Sequence, residues 1–231
     1  YLIYGVIGAI LQLSSFLALF LGVPVAIVAM LINTQPIWTT IFGRYFLGER
    51  VEKRQIIAMV IALIGVIILL EPWTATRWGQ MTGILLSLTA GFSLSLWIIW
   101  GRRGGLNIQH GVTITFGFIA STLAMLLLCY PLVKCFSADE RIIRLSFDLQ
   151  ANQWYFLIIF VLVTTLIPHL LFFNSIRYVK VVTAGILLLL EPLSAALLAV
   201  IIFAQPLTPF MALGGAIILG SNYFIIKRGK E

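Results

Sequence analysis

The sequence predicts an all-α polytopic membrane protein: a helical bundle of two inverted structural repeats, with eight spans present of an expected ten. Three observations carry that expectation. Hydrophobic residues make up 61% of the 231 positions and charged residues only 10%, with a mean hydropathy of +1.09. A chain whose surface must face water has no reason to be so apolar. Second, the apolar residues fall into eight segments, each long enough to cross a bilayer at about 1.5 Å per residue. Third, the chain repeats itself. Pro36 lies eleven residues before Leu47-Gly48-Glu49, and Pro192 lies eleven before Phe203-Ala204-Gln205. A shift of 156 positions also superposes Val25 on Val181, Ala29 on Gly185, Ile61 on Ile217 and Leu63 on Leu219.

Taken in order, the first span, Tyr1–Gly22, carries Gln12 and Ser15 among apolar neighbours. The second, Val25–Leu47, holds Asn33, Gln35 and Pro36. In a continuous helix Asn33 and Gln35 lie about 200° apart, so one of them is expected to face any internal pathway. The third, Gln55–Leu70, bears a small-residue stripe of Ala58, Ala62 and Gly65. The fourth, Gly79–Trp100, places Thr89, Ser93, Trp97 and Trp100 on one face by helical spacing. The fifth runs from Gly111 to Val133, and the hydrophilic stretch Lys134–Gln153 after it reads as an external loop. The sixth, Trp154–Ile176, contains Thr165, Pro168 and His169. The seventh, Val181–Phe203, contains Glu191-Pro192, and the eighth, Pro209–Ile226, a second stripe of Ala212, Ala216 and Gly220. Small faces let helices approach closely in lipid, between neighbours or between copies in a homo-oligomer.

The net charge of +7 reports topology. With a cytoplasmic C-terminus, Arg44, Arg50, Lys53, Arg54, Arg102, Arg103, Arg177, Lys180, Lys227, Arg228 and Lys230 collect on the inner side. Arg77, Lys134, Arg141 and Arg144 remain outside. That eleven-to-four split is the positive-inside bias, so no nucleic-acid partner is expected. Cys129 and Cys135 have no metal or redox spacing and read as free thiols. No metal site and no cofactor motif is expected.

The second repeat copy takes in spans four to eight, residues 72–231, and the first has three spans, residues 1–71. If each unit has five helices, two more are expected before Tyr1. Five is odd, so the second unit enters the membrane from the opposite side. The turns agree, since residues 48–54 are strongly basic and residues 204–208 carry no charge.

With Gln35-Pro36 and Glu191-Pro192 in the penultimate helix of each half, Leu47-Gly48-Glu49-Arg50 closing the first, and Gly65, Gly214, Gly215 and Gly220 in the last helices, the chain resembles the EamA-like branch of the drug/metabolite transporter superfamily. The likeness spans essentially all 231 residues, although Ala204-Gln205 departs from the usual Gly-Glu. The resemblance implies ten helices in two inverted halves, both termini cytoplasmic, and export of an amino acid or related metabolite from a bacterial cell through its inner membrane.

The expected function is therefore secondary transport of a small organic solute by alternating access, with that solute and the lipid bilayer as partners. Candidate pathway residues are Gln12, Ser15, Asn33, Gln35, Ser93, Trp97, Thr165, His169 and Glu191. Glu191 is the only acid deep within a span, which makes it a candidate proton carrier. Its structural alternative is to satisfy carbonyls released beside Pro192. His169 and Trp97 each have a bland alternative too, as a packing residue and an interfacial anchor, and Trp100 reads as an anchor. Two other classes stand beside transport: an intramembrane enzyme using Glu191 and His169 as acid and base, and a non-transporting interaction protein. The sequence holds no phosphate-binding loop, catalytic triad or paired carboxylates, so no enzyme is expected.

The charge asymmetry generates a direct test. In a background without Cys129 and Cys135, cysteines introduced at Ser137 or Thr208 should react with an impermeant reagent from outside. Those at Lys53 or Gly104 should react only after permeabilisation, and the reverse pattern would reject this orientation.

Overall fold

The computed structural model describes residues 2–75, 79–106, 110–136, 150–203 and 206–227. Among these, eight helical segments are long and apolar enough to cross a membrane: Leu2–Phe20, Val25–Leu47, Lys53–Thr74, Met81–Gly104, Gly111–Pro131, Ala151–Tyr178, Val181–Ile202 and Pro209–Lys227. They coincide with the eight segments expected from sequence, and there is no strand among the described residues. Most of the expected external loop and the Ala204-Gln205 turn lie outside the described residues.

Spans two, six and seven are interrupted along their length, each beside a proline. The helices are α1 (Leu2–Phe20), α2 (Val25–Ile32), α3 (Gln35–Leu47), α4 (Lys53–Leu70), α5 (Met81–Leu106) and α6 (Gly111–Phe136). After them come α7 (Ala151–Val161), α8 (Ile167–Ser175), α9 (Val181–Leu188), α10 (Leu190–Phe203) and α11 (Pro209–Lys227). Proline has no N–H, so the carbonyl four residues earlier loses its helical donor. Pro36 and Pro192 accordingly split spans two and seven into α2/α3 and α9/α10. Pro168 instead follows a π-helical stretch, Leu162–Leu166, that joins α7 to α8, with the Ile167 N–H donating to the Leu162 carbonyl.

The chain forms two compact units, Tyr1–Ala9 with Gly101–Tyr178, and Ile10–Trp100 with Val179–Glu231. These cut across the halves expected at 1–71 and 72–231, because α4 and α11, the last helix of each half, pack on each other within the second unit.

That packing repeats the sequence shift. Apart from Gln55, the buried residues of α4 are Ala58, Met59, Ala62, Gly65, Val66 and Leu69. Moved by 156 positions they become Gly214, Gly215, Ile218, Ser221, Asn222 and Ile225, the buried residues of α11. The helices run antiparallel: Ser221 Oγ donates to the Ala58 carbonyl (2.6 Å) at one end, and Thr208 Oγ1 donates to Glu71 at the other. Equivalent faces thus meet in the self-complementary manner of a two-fold contact. At the crossing, a Cβ on Gly214 would lie 2.5 Å from the Leu69 nitrogen and 2.6 Å from the Gly65 carbonyl oxygen.

The stripe expected on α4 is therefore the packed one, but the stripe expected on α11 is not. Ala212, Ala216 and Gly220 are exposed. Helical spacing alone matched both stripes equally, and it is the Gly214–Ile218–Ser221–Ile225 row that has the shape to meet α4.

In the other unit, Tyr4 packs edge-on against Phe118 (ring centroids 5.1 Å apart) and against Phe173 (5.8 Å). Arg102 donates to the carbonyls of Ile176 (2.9 Å) and Arg177, closing the short turn after α8. No residue of α7 is buried among the described residues.

The α4–α11 crossing makes a paired prediction. Gly214→Ala pushes a methyl against backbone atoms that cannot step aside, so it should destabilise by about 1–3 kcal/mol. Gly220→Ala meets nothing within 4 Å and should change stability by less than about 0.5 kcal/mol. Thermal unfolding in detergent distinguishes them; equal melting temperatures would contradict this packing.

Candidate functional site: two broken spans

Span two stops at Ile32 and resumes at Gln35, with Asn33 at φ −71°, ψ 3° and Thr34 at φ −71°, ψ −7°. Side chains reinforce the backbone bonds that the Asn33 and Thr34 N–H groups make to the Ala29 (2.9 Å) and Leu31 (3.2 Å) carbonyls. Asn33 Nδ2 donates to the Ala29 carbonyl (2.8 Å), and Thr34 Oγ1 donates to the Leu31 carbonyl (2.7 Å).

Span seven stops at Leu188, and Leu189 sits at φ −67°, ψ −4°. Asn33 and Leu189 are 156 positions apart, so the two spans break at the same point of the repeat. Leu189 has no amide to offer. Its own N–H turns to the Ile186 carbonyl (3.1 Å) rather than to Gly185, whose carbonyl then needs another donor. Gln35 Nε2 supplies it from α3 at 2.7 Å, fully buried. Ala29 and Gly185 are also repeat equivalents, so the same carbonyl is bonded by a side-chain amide in both halves. The first half uses its own Asn33 and the second borrows Gln35.

The borrowing demands a close approach. A Cβ on Gly185 would fall 2.8 Å from Thr39 Oγ1 and 3.2 Å from Gln35 Oε1. Helix α5 also comes close, at Gly91, where a Cβ would lie 2.8 Å from the Leu31 carbonyl oxygen and 2.9 Å from that of Ile32. One turn beyond Gln35, Trp38 stacks with Phe42 (6.5 Å, 18°) and meets Phe92 of α5 edge-on (5.6 Å, 77°). Gln35 Oε1 and Trp38 Nε1 are buried without a hydrogen-bond partner among the described residues. One acceptor and one donor beside an aromatic wall suit a small amphipathic molecule.

Glu191 is the repeat equivalent of Gln35 and the second residue of α10. The break therefore puts its carboxyl in the first turn of a half-helix, where the dipole favours negative charge. It is exposed and makes no hydrogen bond or ion pair among the described residues. The Gly185 carbonyl at this break is bonded by Gln35 of the other half.

The remaining candidates separate. Asn33 and Gln35 are both buried, and the helix is not continuous between them, so the 200° separation of a continuous helix does not apply. Gln12 is exposed, and Ser15 is half-buried with its hydroxyl on the Leu11 carbonyl (2.7 Å). Ser93 and Trp97 are buried while Thr89 is exposed, so the expected polar-to-aromatic wall along α5 is not one continuous open face. Trp97, at 6% exposure, does not have the setting of an interfacial anchor, and Trp100 packs edge-on against Phe46 (5.9 Å). Thr165 and His169 belong to the other unit. There the His169 Nδ1–H donates to the Thr165 carbonyl (2.7 Å) and its ring stacks on Phe118 (5.5 Å, 14°). Among the described residues no group of His, Cys, Asp and Glu side chains is placed to hold a metal ion.

The turn after α3 holds residues whose role the spacing did not disclose. Gly48, at φ 64°, takes the left-handed conformation that ends α3. Glu49 Oε2 then accepts the backbone N–H of Val181 (2.9 Å), capping α9. Glu52 caps α4 and accepts from Lys180 (2.8 Å) and Arg54 (2.5 Å). The hydrogen bond from Lys180, and then that from Arg54, holds Glu52 below the usual carboxylate range. Its contribution is thus complete above the ordinary value and is lost as pH falls through the lowered one. Glu49 stood in the motif that marked the repeat, but its partner 132 residues away leaves no trace in local spacing. The run Trp38, Phe42, Phe46 at intervals of four was the available signal for the aromatic wall.

Comparison with known proteins places this geometry. The model of the EamA-like transporter family matches residues 1–71 and 81–227. A relative from Archaeoglobus fulgidus, named an uncharacterized transporter, is 29% identical over 210 residues, covering 90% of this chain and 70% of its own length. A Salmonella typhimurium protein named a probable amino-acid metabolite efflux pump is 27% identical over 88 residues, which is 38% of this chain and 29% of that one. A solved crystal structure superposes with a TM-score of 0.77 at 20% identity, covering 100% of this chain and 77% of its own, which shows the fold.

Proposed function

The chain belongs to the EamA-like transporter family, and on that premise we propose that it is a secondary transporter exporting an amino acid or related metabolite by alternating access. It is an integral membrane protein. The proposal places it in a bacterial inner membrane with its C-terminus cytoplasmic, built from inverted repeats at residues 1–71 and 72–231. The observation that carries the reading is the pair of matched breaks. Discontinuous helices at equivalent points of two repeats are how secondary transporters expose half-helix ends to solute near the bilayer midplane. The Salmonella relative's name supports an amino-acid-like solute.

In this reading Gln35 and Trp38 provide an acceptor and a donor to the polar part of the solute, and Phe42 and Phe92 bound its apolar part. Asn33 holds the first break in shape. Glu191 carries the proton, because it is an acid at the second break without a fixed partner. Gln12, Ser15, Ser93 and Trp97 are further members of the pathway, and Thr165 and His169 would act within their own unit. The exposed Ala212, Ala216 and Gly220 stripe is the face offered to a second copy in a homo-oligomer.

Proteoliposomes loaded with an amino-acid panel test the reading. Wild-type protein should accumulate at least one solute under a pH gradient. Glu191→Gln keeps the shape of the protonated acid but cannot release a proton. It should abolish gradient-driven accumulation while sparing solute–solute exchange. Gradient-driven accumulation at wild-type level in that variant would reject the coupling role.

A further inference from the structure

Three polar links join the turn after α3 and the first turn of α4 to the start of α9. Glu49 accepts the Val181 N–H, Lys180 donates to Glu52 (2.8 Å), and Gln55 Nε2 donates to Thr183 Oγ1 (3.1 Å). Behind them Gly43 lets Val181 pack onto α3, since a Cβ there would sit 2.5 Å from Val181 Cγ2. Thr39, deeper along the same face of α3, is wholly buried. The sheath of contacts continues to the Gln35–Gly185 hydrogen bond at the break. The three links lie at the end of α4 that carries the basic turn residues Lys53 and Arg54.

An inverted repeat that alternates must use equivalent segments to close each face in turn. The equivalents of Glu52 and Lys180 are Thr208 and Pro24, and those of Gln55 and Thr183 are Met211 and Ile27. Proline offers no cation, and methionine with isoleucine offers no hydrogen bond. Thr208 is committed elsewhere, to Glu71 and to the Met211 N–H (3.0 Å). At least two of the three links therefore have no counterpart on the other face.

We propose that these links are the latch of a gate on the basic face, and that the opposite gate closes without equivalents of the Glu52–Lys180 and Gln55–Thr183 pairs. Without solute the protein rests with the basic face shut. Opening toward that face breaks the Glu52–Lys180 and Gln55–Thr183 pairs and uncaps α9. The proposal rests on the transport reading above, because a gate has meaning only in a protein that alternates.

The test uses a reporter that needs no solute. In full-length protein lacking Cys129 and Cys135, Thr39→Cys is labelled by a maleimide applied from the basic face of membrane vesicles. Lys180→Glu breaks the pair by repulsion while leaving the α4 cap intact. It should raise the labelling rate about threefold, in keeping with the modest strength of an exposed ion pair. Adding Glu52→Lys restores opposite charges at the cost of the α4 cap, and should bring the rate down from that of Lys180→Glu toward that of the parent. Lys180→Gln, which removes the pair without repulsion, should give a smaller increase and guards against misfolding of the reversed variant. An unchanged rate in both Lys180 variants, or a double variant as fast as Lys180→Glu, would overturn the latch. If the rates behave as expected but the unsubstituted protein moves no solute in the panel, the three links do hold this face shut, and it is the transport reading that fails.

Discussion

Within a bilayer's hydrocarbon layer a backbone carbonyl has no water to turn to, and that of Gly185 takes its hydrogen from Gln35 Nε2 at 2.7 Å. The net gain from such a bond is about 0.5–1.5 kcal/mol, but leaving the carbonyl unpaired costs about 1–3 kcal/mol. Breaking a span at Leu189 is therefore permissible only while another helix supplies a donor. That requirement draws α3 against α9, demands a glycine at 185, and buries Thr39 in the contact. It also fixes Trp38, one turn along α3, beside Phe42 and Phe92. The site and the fold share one cause: beside Pro192 the Leu189 N–H turns away from Gly185, and the Gln35 amide replaces it.

The two halves apply the same backbone solution with different chemistry. They break at Asn33 and Leu189, cap their last helices at Glu52 and Thr208, and meet through equivalent faces of α4 and α11. Packing tolerates little change, since Gly65 and Gly214 touch backbone to backbone. The polar positions have diverged freely. Gln35 became the fixed donor while its equivalent Glu191 remains unbonded and ionisable. The acidic cap Glu52 joins a cation while Thr208 joins another helix end. A protein whose halves were chemically identical would have two equal gates and no preferred resting state.

All eight spans were legible in the sequence because hydropathy and length decide them. The break beside Pro192 was legible, since a missing N–H acts locally, whereas span two was read as continuous through Pro36. What spacing could not disclose was pairing across the chain. Gln35 and Gly185 are 150 residues apart, and nothing around Gln35 distinguishes a residue bonded to a remote carbonyl from one facing a pathway. Treating residues 33 and 35 as members of one continuous helix was the related error. The α11 stripe failed for a different reason, because two small-residue rows coexist on that helix and only the shape of α4 selects between them.

The most direct measurement is the pH dependence of thermal stability in Gln35→Glu and Gln35→Leu. If the amide at residue 35 holds the second break closed, leucine should lower the melting temperature at every pH. The carboxyl of the glutamate variant can donate to Gly185 only while protonated. Its melting temperature should lie near wild type in acid and fall toward that of Gln35→Leu as pH rises. Melting temperatures equal to wild type across the pH range for both variants would show that this hydrogen bond does not hold the broken span.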